Sequence, residues 1–403
     1  MLVATVAGCT TRAAGTPVIG VDPSSTLVDQ PVRIRVSGLA AGQDAAVTLT
    51  ATDYLGSTWR GRATFTADAN GVVDLDQAPP DAGSYDAVDG MGLFWSMTNL
   101  DGEGQTFFPR LPELAAGYEM RLAVTVDGRE VASRSLRREW LAPGVVHRKL
   151  RPPVDGLHGD LYLPPAGSAA KTPVLIFGGS EGGNSMVFTA ALLASHGHPA
   201  LSLAYFGVPA LPQTLRRIPL EYFADAARLL SSHASATSGP VAVCGYSRGS
   251  EAALLLAQHH PDLIRGAVLY APSDTVRAGF PDATGAAWTS GGRDLPSTGI
   301  PVDNVVGPVL AIAGGKDRVW PSAAQAQAIE RNLRRAGSAS SVRVLVYPDA
   351  GHGVGTYPFQ PAGVVDVHPV TGHLLESGGS RAADAAARRD SWPEVLALLA
   401  TLS

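Results

Sequence analysis

A buried strand that passes directly into a tight turn is indicated by the stretch Val241-Ala242-Val243-Cys244-Gly245-Tyr246-Ser247-Arg248-Gly249. Its first residues are apolar, as in a strand covered on both faces, and the run from Arg248 to His259 is rich in alanine and leucine, as in a helix. The glycines on either side of Ser247 permit a turn in which a side chain would clash, and that turn lifts the serine hydroxyl above the sheet. This Gly-x-Ser-x-Gly spacing, set between a strand and a helix, predicts that Ser247 is a nucleophile.

Apolar strands alternate with helices on both sides of this turn. Pro173–Phe177, Pro199–Ala204 and Pro308–Ala313 have the pattern of buried strands, and Leu220–Leu230 has the pattern of a helix. Such alternation predicts a mostly parallel sheet covered on both faces. We therefore expect an α/β-hydrolase catalytic domain over residues 144–403.

Residues 18–143 follow a different pattern, in which short strands alternate at period two. Val32-Arg33-Ile34-Arg35-Val36 and Ala46-Val47-Thr48-Leu49-Thr50 are examples, and Asn70-Gly71 and Asp127-Gly128 supply the positive φ that tight hairpins require. No stretch keeps a helical period over three turns. The pattern predicts an all-β immunoglobulin-like sandwich.

The composition is typical of a folded enzyme. Of the 403 residues, 45% are apolar and 17% charged, so the chain can bury ordinary cores. The formal net charge of -5, without a basic face, argues against a nucleic-acid partner. The two cysteines, Cys9 and Cys244, look unrelated, and neither His-Glu-x-x-His nor Cys-x-x-Cys is present. We therefore expect no disulfide, no metal and no cofactor.

Residues 1–17 are predicted to be a leader or a lipoprotein tether. A small apolar run leads into Val6-Ala7-Gly8-Cys9, which resembles a bacterial lipobox whose cysteine is lipidated. This predicts a membrane-anchored lipoprotein tethered through Cys9, and the alternative is a cytoplasmic enzyme with a disordered leader. No other segment reaches the roughly 18 uninterrupted apolar residues that a membrane span needs.

Two residues after Ser247 in the chain complete a predicted catalytic triad. Asp317 follows a buried strand and the turn Gly314-Gly315-Lys316, and His352 follows the last strand. The order Ser, Asp, His is the one that α/β-hydrolases use, so we predict that His352 is the general base and that Asp317 orients it. Asp349 is the rival acid, ranked second because it lies on the loop of the histidine rather than at the end of a neighbouring strand.

The loop Gly178-Gly179-Ser180-Glu181-Gly182-Gly183 corresponds in position to the loop that donates one amide to an oxyanion hole. Gly179 and Ser180 are equal candidates for that donor, and the N–H of Arg248, just after the nucleophile, is the predicted second donor. Glu181 and Glu251 are candidate supporting residues. Glu251 lies one helical turn after Ser247, where it either braces the turn or is solvated.

Several longer segments carry a family resemblance that extends over nearly the whole chain from Val18. They are Gly90-Met91-Gly92-Leu93-Phe94-Trp95-Ser96-Met97, Pro219-Leu220-Glu221-Tyr222-Phe223, Gly315-Lys316-Asp317-Arg318-Val319-Trp320-Pro321-Ser322 and Tyr347-Pro348-Asp349-Ala350-Gly351-His352. The layout resembles that of the acyl-CoA thioesterase and bile acid-CoA:amino acid N-acyltransferase family. Its members place an immunoglobulin-like domain before an α/β-hydrolase domain.

The resemblance implies a small-molecule acyl-CoA substrate. In the amino-acid acyltransferase branch of that family the nucleophile is cysteine, whereas an acyl group on Ser247 forms an oxygen ester that water readily resolves. We therefore expect an acyl-CoA hydrolase that releases a free carboxylic acid. The alternatives are an extracytoplasmic carboxylesterase of the dienelactone-hydrolase type, an acyl-CoA:amino acid N-acyltransferase, and a binding module with an inert hydrolase domain. Arg216, Arg217 and Arg277 are either candidates for the phosphates of coenzyme A or plain surface charge.

Overall fold

The computed structural model describes residues 15–102, 106–233, 239–337, 341–361 and 363–403. The described residues form two compact units: the first holds residues 15–26, 30–102 and 118–138, and the second holds the others. The predicted lipobox and Cys9 lie outside the described residues. Within the described part of the chain, no helix is both long and apolar enough to cross a membrane.

The two compact units share the chain differently from the single division after residue 143 that the sequence pattern suggests. Residues 27–29 and 106–117 lie with the second unit, and the first unit ends at residue 138. The sequence pattern shows where one type of strand gives way to another along the chain. It does not show with which compact unit a connecting segment packs.

Short antiparallel strands make up the first part of the chain. Their bounds, with one short helix among them, are β1 Val18–Asp22, β2 Ser25–Leu27, β3 Arg33–Ser37, β4 Asp44–Thr52, β5 Thr58–Thr66, β6 Val73–Asp74, β7 Ala82–Gly83, α1 Gly92–Trp95, β8 Thr98–Asn99, β9 Gly117–Val126 and β10 Arg129–Glu139. One sheet has the order β1-β3-β6, and the other has the order β2-β10-β9-β4-β5-β7 with β8 beside β5.

Alternate residues of these strands are buried, which is the pattern of sheets covered on one face. In β3, Ile34 and Val36 are fully buried while Arg33 and Arg35 face solvent. Pairing is antiparallel between β1 and β3 and between β4 and both of its neighbours, β5 and β9. The structure thus shows antiparallel β-sheets here, and the immunoglobulin-like sandwich stays a prediction.

The second unit contains a larger sheet, further small sheets and helices. The strands are β11 Val146–Leu150, β12 His158–Leu163, β13 Val174–Phe177, β14 Ala200–Ala204, β15 Ile218–Pro219, β16 Val241–Tyr246, β17 Ile264–Tyr270, β18 Trp288–Ser290, β19 Arg293–Asp294, β20 Val309–Gly314, β21 Val342–Tyr347, β22 Val365–Val367 and β23 Leu374–Glu376. The helices are α2 Pro152–Asp155, α3 Val187–Ser195, α4 Leu220–Ser231, α5 Arg248–His259, α6 Ser322–Arg335 and α7 Arg381–Thr401, with a 3₁₀ turn at His352–Val354.

The large sheet has eight strands in the order β11-β12-β14-β13-β16-β17-β20-β21. The pairs β11–β12 and β12–β14 are antiparallel, and every later pair along this order is parallel. The prediction of a mostly parallel sheet is therefore confirmed. Because β13, β14 and β16 are flanked by strands and covered by helices, their apolar residues are buried on both faces.

The carboxyl ends of four parallel strands bring the predicted site residues to one edge of the sheet. Phe177, Tyr246, Gly314 and Tyr347 end β13, β16, β20 and β21. The loops that follow carry the glycine-rich segment, Ser247, Asp317 and His352 in turn. Open parallel sheets place ligands outside the carboxyl ends of their strands, so this edge is where a site is expected.

Candidate active site

Ser247 occupies a strained turn between β16 and α5. Its backbone has φ 55° and ψ -122°, a conformation that a residue with a side chain rarely adopts. A Cβ on Gly245 would lie 2.2 Å from the carbonyl oxygen of Gly249, and one on Gly249 would lie 2.2 Å from that of Gly178. Both flanking positions therefore require glycine, and the predicted strand–turn–helix context of Ser247 is confirmed.

The predicted triad residues lie in contact. Nε2 of His352 is 2.9 Å from Oγ of Ser247, and Nδ1 of His352 is 2.8 Å from Oδ2 of Asp317. Ser247 and His352 are 5% and 4% exposed, so both are largely shielded from water. When Nδ1 carries its proton toward Asp317, Nε2 is left as an acceptor for the serine hydroxyl, which is the arrangement a general base needs. The catalytic roles of the three residues stay predictions.

The contacts of Asp317 and Asp349 show which of these two candidate acids lies against His352. The second carboxylate oxygen of Asp317 accepts the amides of Val319 and Trp320 at 2.9 and 3.2 Å, and these bonds fix its orientation toward the histidine. Asp349 has a side chain that is 73% exposed and pairs with Lys316 at 2.7 Å. Asp317 is thus the carboxylate that contacts His352.

A buried carboxylate that the sequence did not reveal supports the histidine loop. Oδ1 of Asp384, on α7, accepts the amide of Gly351 at 2.7 Å, and Asp384 is only 1% exposed. Burial raises the pKa of this carboxyl. The hydroxyl of Tyr246 also donates to the carbonyl of His352 at 3.0 Å. Asp384 lies near the start of a long helix with no motif around it, so no sequence signal marks it.

The amides of the two candidate donors in the glycine loop, Gly179 and Ser180, differ in their hydrogen-bond partners. The N–H of Gly179 points at the carboxylate of Glu181, with contacts of 2.9 and 3.0 Å to its two oxygens. Because its proton already has an acceptor, the contacts favour Ser180 over Gly179 as the oxyanion donor, and the role of either residue stays a prediction. No described group accepts the amide of Ser180, which leaves Ser180 as the donor that the loop offers.

The side chain of Glu181 contacts two other residues of this loop region. Besides the Gly179 amide, its carboxylate accepts the hydroxyl of Ser185 at 2.5 Å. The hydroxyl of Tyr205 contacts the carbonyls of Gly178 and Gly179 at 2.9 and 2.8 Å from the other side. Tyr205 is fully enclosed, and burial raises the pKa of its hydroxyl well above the usual value. Side chains thus hold the start of the loop, and one backbone hydrogen bond, from Gly183 to the carbonyl of Phe206 at 2.9 Å, holds its end.

Arg248 serves two functions at the start of α5. Its amide is the first of the helix and has no carbonyl one turn earlier to accept it, so it is available as an oxyanion donor. Its side chain, almost fully buried, forms an ion pair of 3.0 Å with Glu251 and contacts the carbonyls of Arg277 and Ala278. Glu251 also accepts the indole N–H of Trp288 at 3.0 Å.

These contacts settle the two alternatives for Glu251. The residue is 0% exposed, so the solvated alternative is wrong and the residue braces the turn. Burial raises the pKa of its carboxyl, and the nearby Arg248 guanidinium opposes that rise. A buried ion pair at the start of α5 therefore connects the turn to the segment around Arg277.

One group of possible metal-ligating side chains comes together in the described part of the chain. Glu113, His147 and Asp160 approach one another, but their atoms already have partners: His147 contacts Asp160 at 2.6 Å, Lys149 contacts Glu113, and Asn184 contacts Asp160. Cys244, the cysteine inside β16, is buried, and burial raises the pKa of its thiol to about 12. It is a structural residue of the strand.

The arrangement combines a serine hydroxyl, an imidazole that contacts it, a carboxylate that contacts the imidazole, and two amides that have no acceptor among the described residues. A nucleophile held against a base, with N–H donors beside it, is the apparatus of acyl transfer through a covalent intermediate. Nothing in this geometry requires a metal ligand or a cofactor to take part in the proton transfers.

Comparison with known protein families matches most of the chain. The family model described as the N-terminal region of acyl-CoA thioester hydrolase/BAAT matches residues 29–152. The model described as the C-terminal part of BAAT/acyl-CoA thioester hydrolase matches residues 218–280 and 287–401.

Curated relatives match along nearly their whole lengths. Acyl-coenzyme A amino acid N-acyltransferase 1 of Mus musculus is 31% identical, over 93% of this chain and 94% of that protein. Acyl-coenzyme A thioesterase 6 of Homo sapiens is 27% identical over 91% and 92%, and the peroxisomal succinyl-coenzyme A thioesterase of Mus musculus is 27% identical over the same shares.

Among solved structures, a putative dienelactone hydrolase from Klebsiella pneumoniae subsp. pneumoniae MGH 78578 matches with a TM-score of 0.42 and 16% identity, over 64% of this chain and 98% of that one. A dienelactone hydrolase-like promiscuous phosphotriesterase from metagenomic libraries matches with a TM-score of 0.40 and 19% identity, over 64% and 99%.

Proposed function

This chain belongs to the acyl-CoA thioester hydrolase/BAAT family, and on that premise we propose that it hydrolyses acyl-CoA thioesters to free carboxylic acids. The observation that carries the proposal is the 2.9 Å contact between Oγ of Ser247 and Nε2 of His352, in a chain whose relatives include named acyl-CoA thioesterases. The chemistry is a two-step acyl transfer through an ester on Ser247.

In the first step, Oγ of Ser247 attacks the thioester carbonyl carbon while its proton passes to Nε2 of His352. The negative charge that develops on the carbonyl oxygen is met by the amides of Arg248 and Ser180. The carbon–sulfur bond then breaks, and the thiolate takes the proton from His352. Asp317 stabilises the imidazolium while it exists, because its carboxylate lies 2.8 Å from Nδ1.

In the second step, water attacks the serine ester and gives a proton to His352. The ester bond to Oγ breaks, the proton returns to Ser247, and the acid leaves. Hydrolysis is favoured over transfer to an amine because an oxygen ester is readily resolved by water, whereas the acyltransferase branch of the family uses a cysteine nucleophile. The relatives named as N-acyltransferases are what make the transferase the second candidate.

Arg277 supports an anionic thioester over a neutral ester as substrate. Of the three arginines considered for coenzyme A, Arg216 pairs with Asp282 and Arg217 pairs with Asp294. Arg277 has no ion-pair partner among the described residues, and its guanidinium lies 4.6 Å from the ring centre of Trp320. Trp320 in turn packs edge-on against His352 at 5.3 Å. A guanidinium without a close ion pair, so near the triad, suits a phosphate or a carboxylate on the substrate.

The test supplies the purified chain with palmitoyl-CoA, with p-nitrophenyl butyrate, and with palmitoyl-CoA plus glycine or taurine. We expect free acid and free coenzyme A, no amide conjugate, and no turnover by Ser247→Ala. Arg277→Gln should raise KM about 10–150-fold for the CoA thioester and leave the aryl ester unchanged, since each charged hydrogen bond contributes roughly 1.5–3 kcal/mol. Turnover of the ester alone would contradict the proposal, and conjugate formation would replace it with the transferase.

We also propose that the chain is a lipoprotein anchored through Cys9, supported by the lipobox-like Val6-Ala7-Gly8-Cys9. Mass spectrometry of the mature N-terminus from the native host tests it. A diacylated Cys9 is the expected result, and an unmodified leader attached to active enzyme overturns it.

A further inference from the structure

A second histidine, His368, lies against the glycine loop of the active site. Nε2 of His368 is 3.0 Å from Oγ of Ser180, although 188 positions separate the two residues in the chain. His368 is 7% exposed, and the ring of Phe280 lies 5.1 Å from it. The triad makes no use of this contact, and no motif in the sequence pointed to it.

The position of the His368 proton follows from its neighbours. The amide of Val370 donates to Nδ1 at 3.2 Å, so Nδ1 must present a lone pair and the neutral ring carries its proton on Nε2. Burial lowers the pKa of His368, with the carboxylate of Glu181 opposing, and this favours the neutral ring. The ring therefore donates to Ser180, and Oγ of Ser180 is the acceptor.

An acceptor role for Oγ leaves the hydroxyl proton of Ser180 free to point elsewhere. Ser180 follows Gly179, which packs so closely against the nucleophile that a Cβ on it would lie 2.8 Å from Cβ of Ser247. The amide of Gly179 is already taken by Glu181. Of the two candidate donor residues, Gly179 and Ser180, Ser180 is therefore the one whose amide and hydroxyl remain for the reacting carbonyl.

The backbone of His368 is itself fixed. Its amide donates to the carbonyl of His373 at 2.8 Å, and its carbonyl accepts the amide of Gly372 at 2.8 Å, so it sits in the turn that joins β22 to β23. A ring anchored on one side by this turn and by Val370 can hold Ser180 in one rotamer.

We propose that His368 is a positioning residue of the oxyanion hole: by donating to Oγ of Ser180, it directs the hydroxyl and the amide of Ser180 at the carbonyl oxygen of the substrate. Ser180 then supplies two of the hydrogen bonds to the oxyanion, and Arg248 supplies a third. This inference rests on the acyl-enzyme mechanism proposed above. It does not depend on whether the leaving group is coenzyme A or an alcohol.

The experiment measures the rate constant of Ser247 acylation and the KM with p-nitrophenyl butyrate, by stopped flow, for His368→Leu, His368→Gln, Ser180→Ala and the double variant His368→Leu/Ser180→Ala. Glutamine keeps an N–H donor near the place of Nε2, whereas leucine keeps only the volume. The preorganised donors of oxyanion holes contribute about 10²–10³-fold each, and an indirect partner contributes less.

We expect His368→Leu and Ser180→Ala each to slow acylation by about 10–100-fold with little change in KM, and His368→Gln to recover most of the rate. The double variant should be no slower than the slower single variant, because both remove the same interaction. The inference would be overturned if His368→Leu acylated at the wild-type rate or if the glutamine and leucine variants lost equal activity. It would also be overturned if the losses of the two single variants multiplied in the double variant.

This outcome is separable from failure of the proposed function. The wild-type chain could acylate Ser247 with the aryl ester but leave CoA thioesters intact. That result would contradict the proposed substrate, and the His368 variants would still test the inference about the oxyanion hole. Ser180→Ala tests the same hydrogen bond independently if His368→Leu does not fold, which thermal unfolding of each variant establishes.

Discussion

The turn that carries Ser247 and the glycine loop at residues 178–183 face the same reacting atoms but are built in opposite ways. The turn is fixed by its own backbone: two glycines, one strained serine and the first turn of α5 leave it a single shape. The loop is fixed by the side chain of its own Glu181 and by two side chains that reach it from elsewhere, Tyr205 and His368. A local motif can specify the turn, whereas only the folded chain can specify the loop.

The difference has a consequence for robustness. A change within the turn alters atoms that have no alternative position, because the backbones of Gly249 and Gly178 touch. A change to one side chain around the loop leaves the other supports in place. We therefore expect losses to be steep at the nucleophile and its partners and shallower at each support of the loop.

The largest effect is expected at the carboxylate that orients the base. Asp317→Asn should lower the acylation rate by about 10³–10⁴-fold, because an amide in this place favours the wrong tautomer of His352. Asp349→Asn is the matched control on the same edge of the sheet and should stay within twofold. Steady-state kinetics with the aryl ester measure both, and equal losses in the two variants would mean that the acids share the role.

The second-largest effect on the acylation rate is expected from a methyl group placed between the turn and the loop. In Gly249→Ala, Cβ would lie 2.2 Å from the carbonyl oxygen of Gly178, so the two segments must move apart and the donors must separate from Ser247. We expect acylation to fall by about 10²–10³-fold, the cost of losing a well-placed oxyanion donor.

Gly42→Ala serves as the control for this backbone change. Gly42 has φ +73° and nothing within 4 Å of an added Cβ, so the variant should lose about 1 kcal/mol of stability and no activity. Urea unfolding and the esterase assay separate the two variants, and full activity in Gly249→Ala would show that the turn does not need its contact with the loop.

Supports of the loop should give smaller losses. Tyr205→Phe removes the hydroxyl that contacts two loop carbonyls while it keeps the ring among its aromatic neighbours, and we expect acylation to slow by about 3–10-fold. Tyr222→Phe is the control, since the Tyr222 hydroxyl bonds His158 and Ala204, away from the loop. A loss in Tyr205→Phe as large as that in Gly249→Ala would erase the contrast between the two regions.

The smallest effect on activity is expected at Asp384, and it shows in the pH dependence of stability. The native pKa of this carboxyl lies above its value of 3.8 in the unfolded chain, so between the two values the native state binds more protons. Stability from this group is therefore present at low pH and is lost as the pH rises from about 3.8 through the native pKa. Asp384→Asn keeps the acceptor for Gly351 and removes the ionisation.

Urea unfolding of the wild type and of Asp384→Asn at pH 4 and pH 7 measures this contribution. The free energy of unfolding of the variant, relative to the wild type, should be higher at pH 7 than at pH 4. An opposite trend would show that the native carboxylate is stabilised in its charged form by Arg388 and the amide of Gly351.

Local sequence patterns indicated the main strands and helices, and the meeting of Ser247, Asp317 and His352, for a definite reason. Ser247, Asp317 and His352 each directly follow the end of a strand or a short turn after it, and parallel strands deliver such loops to one edge of the sheet. Residues whose placement depends on long-range packing were not accessible in this way. Asp384 on α7 and His368 in the β22–β23 turn carry no local signature, because nothing in their neighbouring residues encodes the partner that they meet.

Local sequence was enough to predict the two patterns of strands, the mostly parallel sheet, the tight turn at Ser247 and the chain order of Ser247, Asp317 and His352, because each follows from the periodicity or sterics of a short segment. Tertiary structure alone decided which acid meets His352, which amide of the glycine loop is free, and that Glu251 is buried beside Arg248. These outcomes depend on hydrogen-bond acceptors supplied by distant segments, and competition for one N–H or one carboxylate is settled only when the chain has folded around it.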